Sequence, residues 1–521
     1  MLVAKGLSAL HVRFGNVLVI ALIVGLCIHI SRYWQQRHHS SALIKLNENP
    51  AGGPSAEEQY LERLAYRYAL TNQTEWLAWR IQSAGRKDGG SSLIDVGLNF
   101  GSQSHKIIDL RGPDPSALRA PRKMTLPARD DTRAEPTDAS DFLFGISSSY
   151  ERIADRDWAL VRAWERWFTG AKKESNGAGL VLMLDKATDR QLQEVDEELY
   201  ARGLDAYLMS TEEPMSMATR YHELVRIFKT YGATLAASGQ RKKWFGLVED
   251  TVFFPDLSYL GERLSRYNAN DELYIGLPSE RQDWHADGDN MTTYGGGAVL
   301  LTRQAVDRIP RLPCLEAAEL EAPVKPKRWD ALLKECVEQR GGLDMRFIPA
   351  LYSPKDDGDG DLPSVASQEA GARPLVLHDY QDRHRLDVGM AHLVTDVCGE
   401  ACFMQRYVFH DNWVLVNGVS ISQHPDGLKH QRRRRANQRR GVLKGRVGRN
   451  TSGQFVDDDQ EVERTFLTWT GRRNVWRLLD SAPALDGSVW QAYLRRGTRG
   501  SEGPGEMDSV IVLIWEQSPM R

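Results

Sequence analysis

Short apolar runs alternate with amphipathic segments between Phe142 and Val248, and this alternation limits the possible folds more than any other feature. Four runs are typical of buried strands: FLFGI, GLVLMLD, DAYLMS and KWFGLV. The stretches between them place apolar residues at helical spacing: DRDWALVRAWERWF, DRQLQEVDEELYARG and ATRYHELVRIFKTYGATLAAS. Strands that alternate with helices predict an α/β fold, with a mostly parallel, doubly wound sheet and helices on both faces.

Polar and acidic residues stand at the ends of three of these runs. Ser147 follows the first run, Asp185 ends the second, and the adjacent Glu249 and Asp250 follow the fourth. Ligands of doubly wound sheets bind beyond the carboxyl ends of the strands, so we expect these side chains at one ligand-binding edge. A buried carboxylate is costly without a compensating cation. The two adjacent acids therefore either end a strand at the surface or hold a metal ion.

Three consecutive glycines, Gly295, Gly296 and Gly297, precede a further apolar run. Glycine lets the backbone approach a ligand closely, which would suit a binding site. A tight turn before a strand is the alternative explanation.

The N-terminal run FGNVLVIALIVGLCIHI, from Phe14 to Ile30, contains no charged residue. At about 17 residues it is at the short end for a membrane-spanning helix. A cleaved signal peptide, the alternative, would require small residues after the run, whereas the bulky and basic HISRYWQQRHH follows. We therefore favour an uncleaved signal anchor over residues 14–31, with a cytosolic tail over 1–13 and a lumenal body.

The composition of the rest of the chain indicates three regions: a stem, a catalytic domain and a C-terminal extension. Residues 32–140 are predicted to form a stem or linker, because stretches rich in Pro, Gly and charge flank one helical segment. A catalytic domain is expected over 141–385, and a C-terminal extension with β-like runs over 386–521. This extension carries an arginine-rich insert at 429–449. The net charge of −3, the predicted anchor and the lack of interleaved aromatics favour a solvated loop over a nucleic-acid site.

The cysteines agree with a lumenal body. Cys27 lies in the apolar run, and the other four form two local pairs, Cys314 with Cys336 and Cys398 with Cys402. An even number of cysteines in an oxidising compartment permits two disulfides, which we assign to these pairs; a zinc site is the alternative that the spacing suits poorly. A glycoprotein is compatible with the three N-glycosylation sequons, at Asn72, Asn290 and Asn450.

Six stretches, in this order and at this spacing, resemble the fringe-like glycosyltransferases, specifically the fungal-type, membrane-anchored branch: FGISSSYERI, KWFGLVEDTVFFPDL, TTYGGGAVLLTR, RWDALLKECV, PLVLHDY and CGEACFMQR…NGVSIS. The resemblance runs from about Phe142 to at least Ser422. It implies a nucleotide-sugar-binding, GT-A-like and Rossmann-like α/β fold. It also implies inverting transfer from a UDP-sugar, often in a β1,3 linkage, with Mn²⁺ held by an acidic cluster after a strand.

The resemblance assigns Asp250, Glu249 and His378 to the metal ion, which is Mn²⁺ or another divalent cation. Such an ion would neutralise and orient the diphosphate of UDP, and carboxylate oxygens with imidazole suit Mn²⁺. Asp330 takes the position of the base that deprotonates the acceptor hydroxyl, although aspartate at a helix start is also an ordinary N-cap. The donor and acceptor pocket is assigned to Ser147, Ser148, Asp185, Glu249, Asp250, Gly295, Gly296 and Gly297.

The acidic cluster departs from the family pattern, which has three consecutive acids followed by threonine and aromatics. Aligned on TVFF, Val248 replaces the first acid, and Asp250 keeps the position of the direct metal ligand. Aligned on the flanking apolar residues instead, Thr251 replaces the third acid and metal dependence weakens. We favour the first alignment.

These features together predict a type II membrane glycosyltransferase of the Golgi or endoplasmic reticulum. It would transfer a sugar from a UDP-sugar to a hydroxyl of a glycan or glycoprotein acceptor. The incomplete acidic cluster suggests the alternative, a catalytically degenerate relative that binds a glycan or a partner enzyme.

Overall fold

The computed structural model of the 521-residue chain describes residues 55–86, 93–102, 105–114, 118, 121–129, 137–170, 173–278, 283–287, 290–314, 328–348, 369, 374–432, 465–497 and 507–516. The predicted cytosolic tail, the signal anchor over 14–31 and residues 433–449 of the basic insert lie outside these ranges. Within them, no helix is both long and apolar enough to span a bilayer.

The regular elements are numbered in chain order. The helices are α1 (Ala56–Tyr68), α2 (Tyr150–Phe168), α3 (Asp189–Ala201), α4 (Met217–Ala237), α5 (Leu257–Leu264), α6 (Arg303–Arg308), α7 (Trp329–Gln339), α8 (Val388–Ala391) and α9 (Thr395–Cys398). The strands are β1 (Gln73–Arg86), β2 (Leu93–Val96), β3 (Lys106–Asp109), β4 (Arg122–Arg129), β5 (Phe142–Ser148), β6 (Gly179–Leu184), β7 (Ala206–Ser210), β8 (Trp244–Glu249), β9 (Val252–Phe253), β10 (Tyr274–Gly276), β11 (Trp284–Asp287), β12 (Asn290–Thr293), β13 (Ala298–Thr302), β14 (Arg346–Phe347), β15 (Leu377–His378), β16 (Arg406–Phe409), β17 (Trp413–Val416), β18 (Ser420–Gln423), β19 (Leu428–Arg432), β20 (Thr465–Trp469), β21 (Asn474–Pro483), β22 (Val489–Arg495) and β23 (Asp508–Glu516).

The alternating segments of the sequence form a seven-stranded sheet in the order β14-β10-β13-β8-β5-β6-β7. Strands β8, β5, β6 and β7 run parallel to one another, and β13 runs antiparallel to both β8 and β10. The predicted mostly parallel α/β sheet is therefore confirmed. The chain moves outward from β5 to β7 and then returns to β8 on the other side of β5. This reversal between β5 and β8 creates a topological switch point, where such sheets bind ligands.

Helices cover both faces of this sheet, as predicted. Successive residues of β5 point to opposite faces. Phe144 packs edge-on against Trp167 of α2, with ring centroids 5.0 Å apart, while Leu143 belongs to the apolar cluster that contains Phe228 of α4. A Cβ at Gly145 would come within 2.7 Å of the Phe228 ring, so glycine lets α4 lie close to the sheet. All residues of β5 are buried, which explains its continuous apolar sequence.

A second sheet has ten strands, and it combines both ends of the described chain. Its order is β2-β16-β17-β18-β21-β22-β23-β1-β3, and β4 also pairs with β1. Strand β1 lies parallel to β23, in register from Thr74 opposite Asp508 to Gln82 opposite Glu516. The C-terminal extension therefore contains strands, as predicted. The region 32–140 differs from the predicted stem, because its described part forms α1 and contributes four strands to this sheet.

The two sheets share one hydrophobic core. This core contains Phe144 of the first sheet together with Leu415 and Leu513 of the second. At the same junction, Arg166 of α2 donates to Asp396 of α9 at 2.6 Å. The parallel sheet is thus packed against the unit that the two chain ends build together.

Both predicted disulfides are present. The Cα atoms of Cys314 and Cys336 lie 5.4 Å apart, and those of Cys398 and Cys402 lie 5.9 Å apart. Both distances suit a disulfide, and the alternative of a shared zinc site is not seen among the described residues.

Candidate functional site

A cavity of about 560 Å³ opens at the switch point between β5 and β8. These strands end side by side, because Ser147 pairs in register with Glu249. Four arginines and four carboxylates reach the cavity wall, together with an imidazole and an indole. The lining residues are Arg152, Asp155, Arg156, Ala159, Leu160, Met217, Glu249, Thr251, Arg328, Trp329, His378, Asp379, Gln381, Asp382 and Arg383.

Asp250 is bound by an arginine from the first turn of α2. Nε and Nη2 of Arg152 donate to the two carboxylate oxygens at 2.8 and 2.7 Å. The hydroxyl of Ser148 donates to Oδ2 at 2.6 Å, and the indole of Trp164 donates to the main-chain oxygen of Asp250 at 3.2 Å. The predicted residues Ser148 and Asp250 are therefore brought together, and a cation of the protein compensates the buried carboxylate.

Glu249 lies in a separate chain of contacts. Its Oε1 accepts from the indole of Trp329 at 2.7 Å, and its Oε2 lies 2.7 Å from Nε2 of His378. The other ring nitrogen of His378 lies 3.2 Å from Asp283 Oδ1, which also accepts from Arg383 at 2.7 Å. Burial by itself lowers the pKa of His378, but the hydrogen bonds with Asp283 and Glu249 raise this pKa to about 9. The imidazole is therefore a cation between two carboxylates at neutral pH.

Asp330 is buried beneath Arg328, which is the N-cap residue of α7. Nε and Nη2 of Arg328 donate to Asp330 at 3.1 and 2.9 Å, and the amide of Ala331 donates to the same carboxylate at 2.9 Å. Burial raises the pKa of Asp330 above its usual value, although Arg328 opposes this shift. Arg328 lines the cavity, whereas Asp330 lies behind it. The structure therefore does not place the predicted base against the cavity.

The predicted metal ligands do not fit a divalent cation in this arrangement. Both oxygens of Asp250 accept from Arg152, and both ring nitrogens of His378 face carboxylates. Each oxygen of Glu249 also has a partner. Across the described ranges, no group of three or more His, Cys, Asp or Glu side chains is arranged to hold a metal ion. Guanidinium and imidazolium groups occupy the places around these acids where the resemblance implies Mn²⁺.

Ser147 and Asp185, the other predicted nucleotide contacts, meet through one arginine. Nε of Arg220 donates to Ser147 Oγ at 2.7 Å, and its Nη1 lies 3.1 Å from Asp185 Oδ2. The next residue, Tyr221, stacks on Trp329 with ring centroids 3.9 Å apart. Helix α4 therefore links these two strand-end residues to a wall of the cavity.

The three glycines form a turn, and the last of them, Gly297, lies against His378. All have positive φ, between 68° and 128°, a region that favours glycine. A Cβ at Gly297 would lie 2.6 Å from Nε2 of His378, and one at Gly296 would lie 2.5 Å from the Cα of Pro278. The turn that the sequence left as an alternative is therefore present, and Gly297 lets its backbone approach His378.

Sequence reasoning missed the arginines and Asp283. Arg152 and Arg328 both stand inside stretches that carried the family resemblance, FGISSSYERI and RWDALLKECV. Arg152 stands four residues after the predicted Ser148, and Arg328 two residues before the predicted Asp330; these positions were the available signal. Asp283 had no comparable signal, because only the folded chain brings it to His378.

No protein-family model matches the chain, and no curated protein matches it. Parts of it resemble solved structures. The glycosyltransferase GlyE of Streptococcus pneumoniae has 12% identity over 47% of this chain and 56% of its own, with a TM-score of 0.29. The mannosyltransferase PcManGT of Pyrobaculum calidifontis, solved with GDP-Man and Mn²⁺, has 9% identity over 42% and 58%, with a TM-score of 0.27. The galactosyltransferase LgtC, solved with donor and acceptor sugar analogues, has 13% identity over 39% and 73%, with a TM-score of 0.26.

The chain spans 44% and 56% of the length of the two GlyE structures it matches. TM-scores this low do not establish a shared fold, and membership of the fringe-like family stays a prediction.

Proposed function

We propose that this protein is a glycosyltransferase that moves a sugar from a nucleotide-sugar, specifically a UDP-sugar, to a hydroxyl of a glycan or glycoprotein. One observation carries the proposal: a cavity at the switch point of a parallel sheet has four arginines and an indole in its wall. Guanidinium groups bind phosphate oxygens through paired hydrogen bonds. A nucleoside diphosphate fits both the position and the charge of these groups.

The chemistry of transfer requires two things from the cavity. The diphosphate gains negative charge as the glycosidic bond breaks, and preorganised cations stabilise that charge. Inversion, which the sequence resemblance implies, also needs a base on the acceptor side. Because Asp330 is buried behind Arg328 and both oxygens of Glu249 already have partners, the candidates are the other lining carboxylates, Asp155, Asp379 and Asp382. Mn²⁺ is not part of this proposal, since the predicted ligands already have other partners.

A donor panel tests the proposal. The full chain, purified in detergent, is incubated with radiolabelled UDP-sugars, with Mn²⁺ or with EDTA, and release of the labelled sugar is measured. We expect turnover of one donor. Of Asp155→Asn, Asp379→Asn and Asp382→Asn, the variant that removes the base is expected to lower turnover by about 100-fold or more. Arg190→Gln is the matched control, because this arginine lies on the exposed side of α3 and should leave turnover unchanged.

If the wild type turns over none of the common UDP-sugars under either condition, the enzyme proposal fails. The catalytically degenerate, glycan-binding alternative would then be favoured. One observation already points toward it: Asp250 and Asp330, the predicted ligand and base, are both occupied by arginines.

We also propose a type II placement in the Golgi or endoplasmic reticulum, with the body in the lumen. Two disulfides among the described residues support an oxidising compartment, and the sequon residue Asn72 is exposed. In sealed microsomes, the body is expected to resist added protease until detergent is present. Digestion without detergent would contradict a lumenal body.

A further inference from the structure

We infer that the buried aspartates of this site act as positioning residues for arginines, and that these guanidinium groups bind the diphosphate of a nucleotide without a divalent cation. The inference rests on the proposed function, because it assumes a nucleotide in the cavity. It departs from the expectation that the same acids would hold Mn²⁺ or abstract a proton.

Three arginine–aspartate pairs around the cavity are built in the same way. In each, the aspartate is buried and the arginine is more exposed. The exposed side-chain fractions are 6% for Asp250 against 58% for Arg152, and 1% for Asp330 against 38% for Arg328. The third pair has 0% for Asp283 against 18% for its arginine, Arg383. All three arginines line the cavity, and none of the three aspartates does.

Two of these pairs have paired hydrogen bonds. Arg152 uses Nε and Nη2 toward Asp250, and Arg328 uses the same two nitrogens toward Asp330. A bidentate contact fixes the plane of a guanidinium group as well as its position. Each arginine is therefore held before ligand arrives, with its exposed side toward the cavity.

The same contacts explain why a metal ion is not required. A divalent cation in this kind of site offsets the diphosphate charge and fixes its orientation. Fixed guanidinium groups can supply both effects. A metal ion at Asp250 would have to displace Arg152 from both carboxylate oxygens and remove the hydrogen bond from Ser148.

The rival arrangement uses the other acids of the cavity. Asp155, Asp379 and Asp382 also line it, and a metal–nucleotide complex would approach them. The two arrangements differ in one measurable way, since only the rival makes nucleotide binding depend on Mn²⁺.

Calorimetric titration of the full chain with UDP, in EDTA and then in Mn²⁺, separates them. We expect UDP to bind in EDTA with an affinity within about twofold of that in Mn²⁺. The variant Arg152→Gln/Asp250→Asn should weaken UDP binding by about tenfold or more, since it removes one charge-assisted contact. Uridine, which has no phosphate, should bind this variant and the wild type equally. Arg328→Gln/Asp330→Asn should behave in the same way, and Arg190→Gln is again the control.

The double variants remove both charges of a pair, so no carboxylate is left buried without its cation. Thermal unfolding is recorded for each protein, and Arg152→Lys provides a second test if a double variant is unstable. Lysine keeps the charge but loses the paired contact, so an intermediate loss of UDP affinity is expected.

The outcomes distinguish the inference from the function on which it rests. UDP binding that appears only with Mn²⁺, or double variants that bind UDP as the wild type does, would overturn the inference and leave the proposed function intact. Absence of UDP binding in both conditions would overturn both.

Discussion

Removal of residues 1–140 is expected to prevent folding of the ten-stranded sheet, rather than to release an independent catalytic domain. The deletion removes β1, which lies between β23 and β3 and also pairs with β4. Strand β23 would then present its edge to solvent. Its sequence DSVIVLIWE is almost wholly buried in the intact protein, and long apolar edge strands promote aggregation.

The size of the effect follows from the side chains that β1 contributes. Trp76, Leu77, Trp79 and Ile81 are each at most 2% exposed. Burial of a large apolar side chain stabilises a protein by about 1.5–3 kcal/mol, so their loss approaches the whole stability of a typical domain, about 5–15 kcal/mol. Loss of α1, whose Tyr60 packs edge-on against Trp490, adds to this.

Two truncated chains of matched design measure the loss of stability. Residues 55–521 and 141–521 are expressed in parallel, and both are followed by thermal unfolding and limited proteolysis. We expect the first to unfold cooperatively and the second to aggregate or to be digested rapidly. A cooperative transition of 141–521 at the same temperature as the longer chain would show that β1 is dispensable.

The place of the N-terminal strands in the second sheet could not be predicted from the sequence, because the pairing of β1 with β23 is not local. The parallel sheet could be predicted because its apolar runs alternate along the sequence with the helices that cover them. Strand β1, by contrast, pairs with a segment more than 400 residues away, and its sequence QTEWLAWRIQSAGR mixes polar and apolar residues. Local composition therefore suggested a stem, although the partner strand makes this segment part of a core.

The candidate site, likewise, could be predicted from the sequence only in part. Strand ends predicted that Ser147, Asp185, Glu249 and Asp250 would gather at one edge of the sheet. Ser147 does pair with Glu249, and Arg220 joins Asp185 to Ser147. The sequence did not reveal what compensates the acids. A carboxylate can be compensated by a metal ion or by a guanidinium group, and only the packing of α2 against the sheet brings Arg152 to Asp250.

Acidification below pH 6.5 is expected to destabilise the protein through His392. This side chain is fully buried between Phe253 and Phe403, with ring centroids 5.2 and 4.9 Å away. Its Nε2 lies 3.1 Å from the main-chain oxygen of Pro255, and a neutral ring can donate that hydrogen bond. Burial, together with the nearby positive charge of Arg166, lowers the pKa of His392 to about 3.

The sign of the effect follows from linkage. An unfolded chain binds a proton at this histidine near pH 6.5, whereas the folded chain stays neutral there until about pH 3. The unfolded state therefore binds more protons between these values, and stability falls as the pH falls. At about 1.4 kcal/mol per pH unit, His392 alone should lower the free energy of unfolding by roughly 2–3 kcal/mol between pH 6.5 and 4.5.

Denaturant unfolding at several pH values, for the wild type and for His392→Gln, isolates this contribution. Glutamine retains a donor for the Pro255 oxygen but does not titrate, so the variant should lose the part of the pH dependence that His392 supplies. The pH dependence of stability that remains in the variant should include a contribution from His384, whose pKa is lowered to about 4, mainly by burial. Equal slopes for the two proteins would mean that His392 is not held neutral. The His392 ring lies between Phe253 of the site region and Phe403 beside the second sheet. Its protonation should therefore loosen this junction, and with it the site.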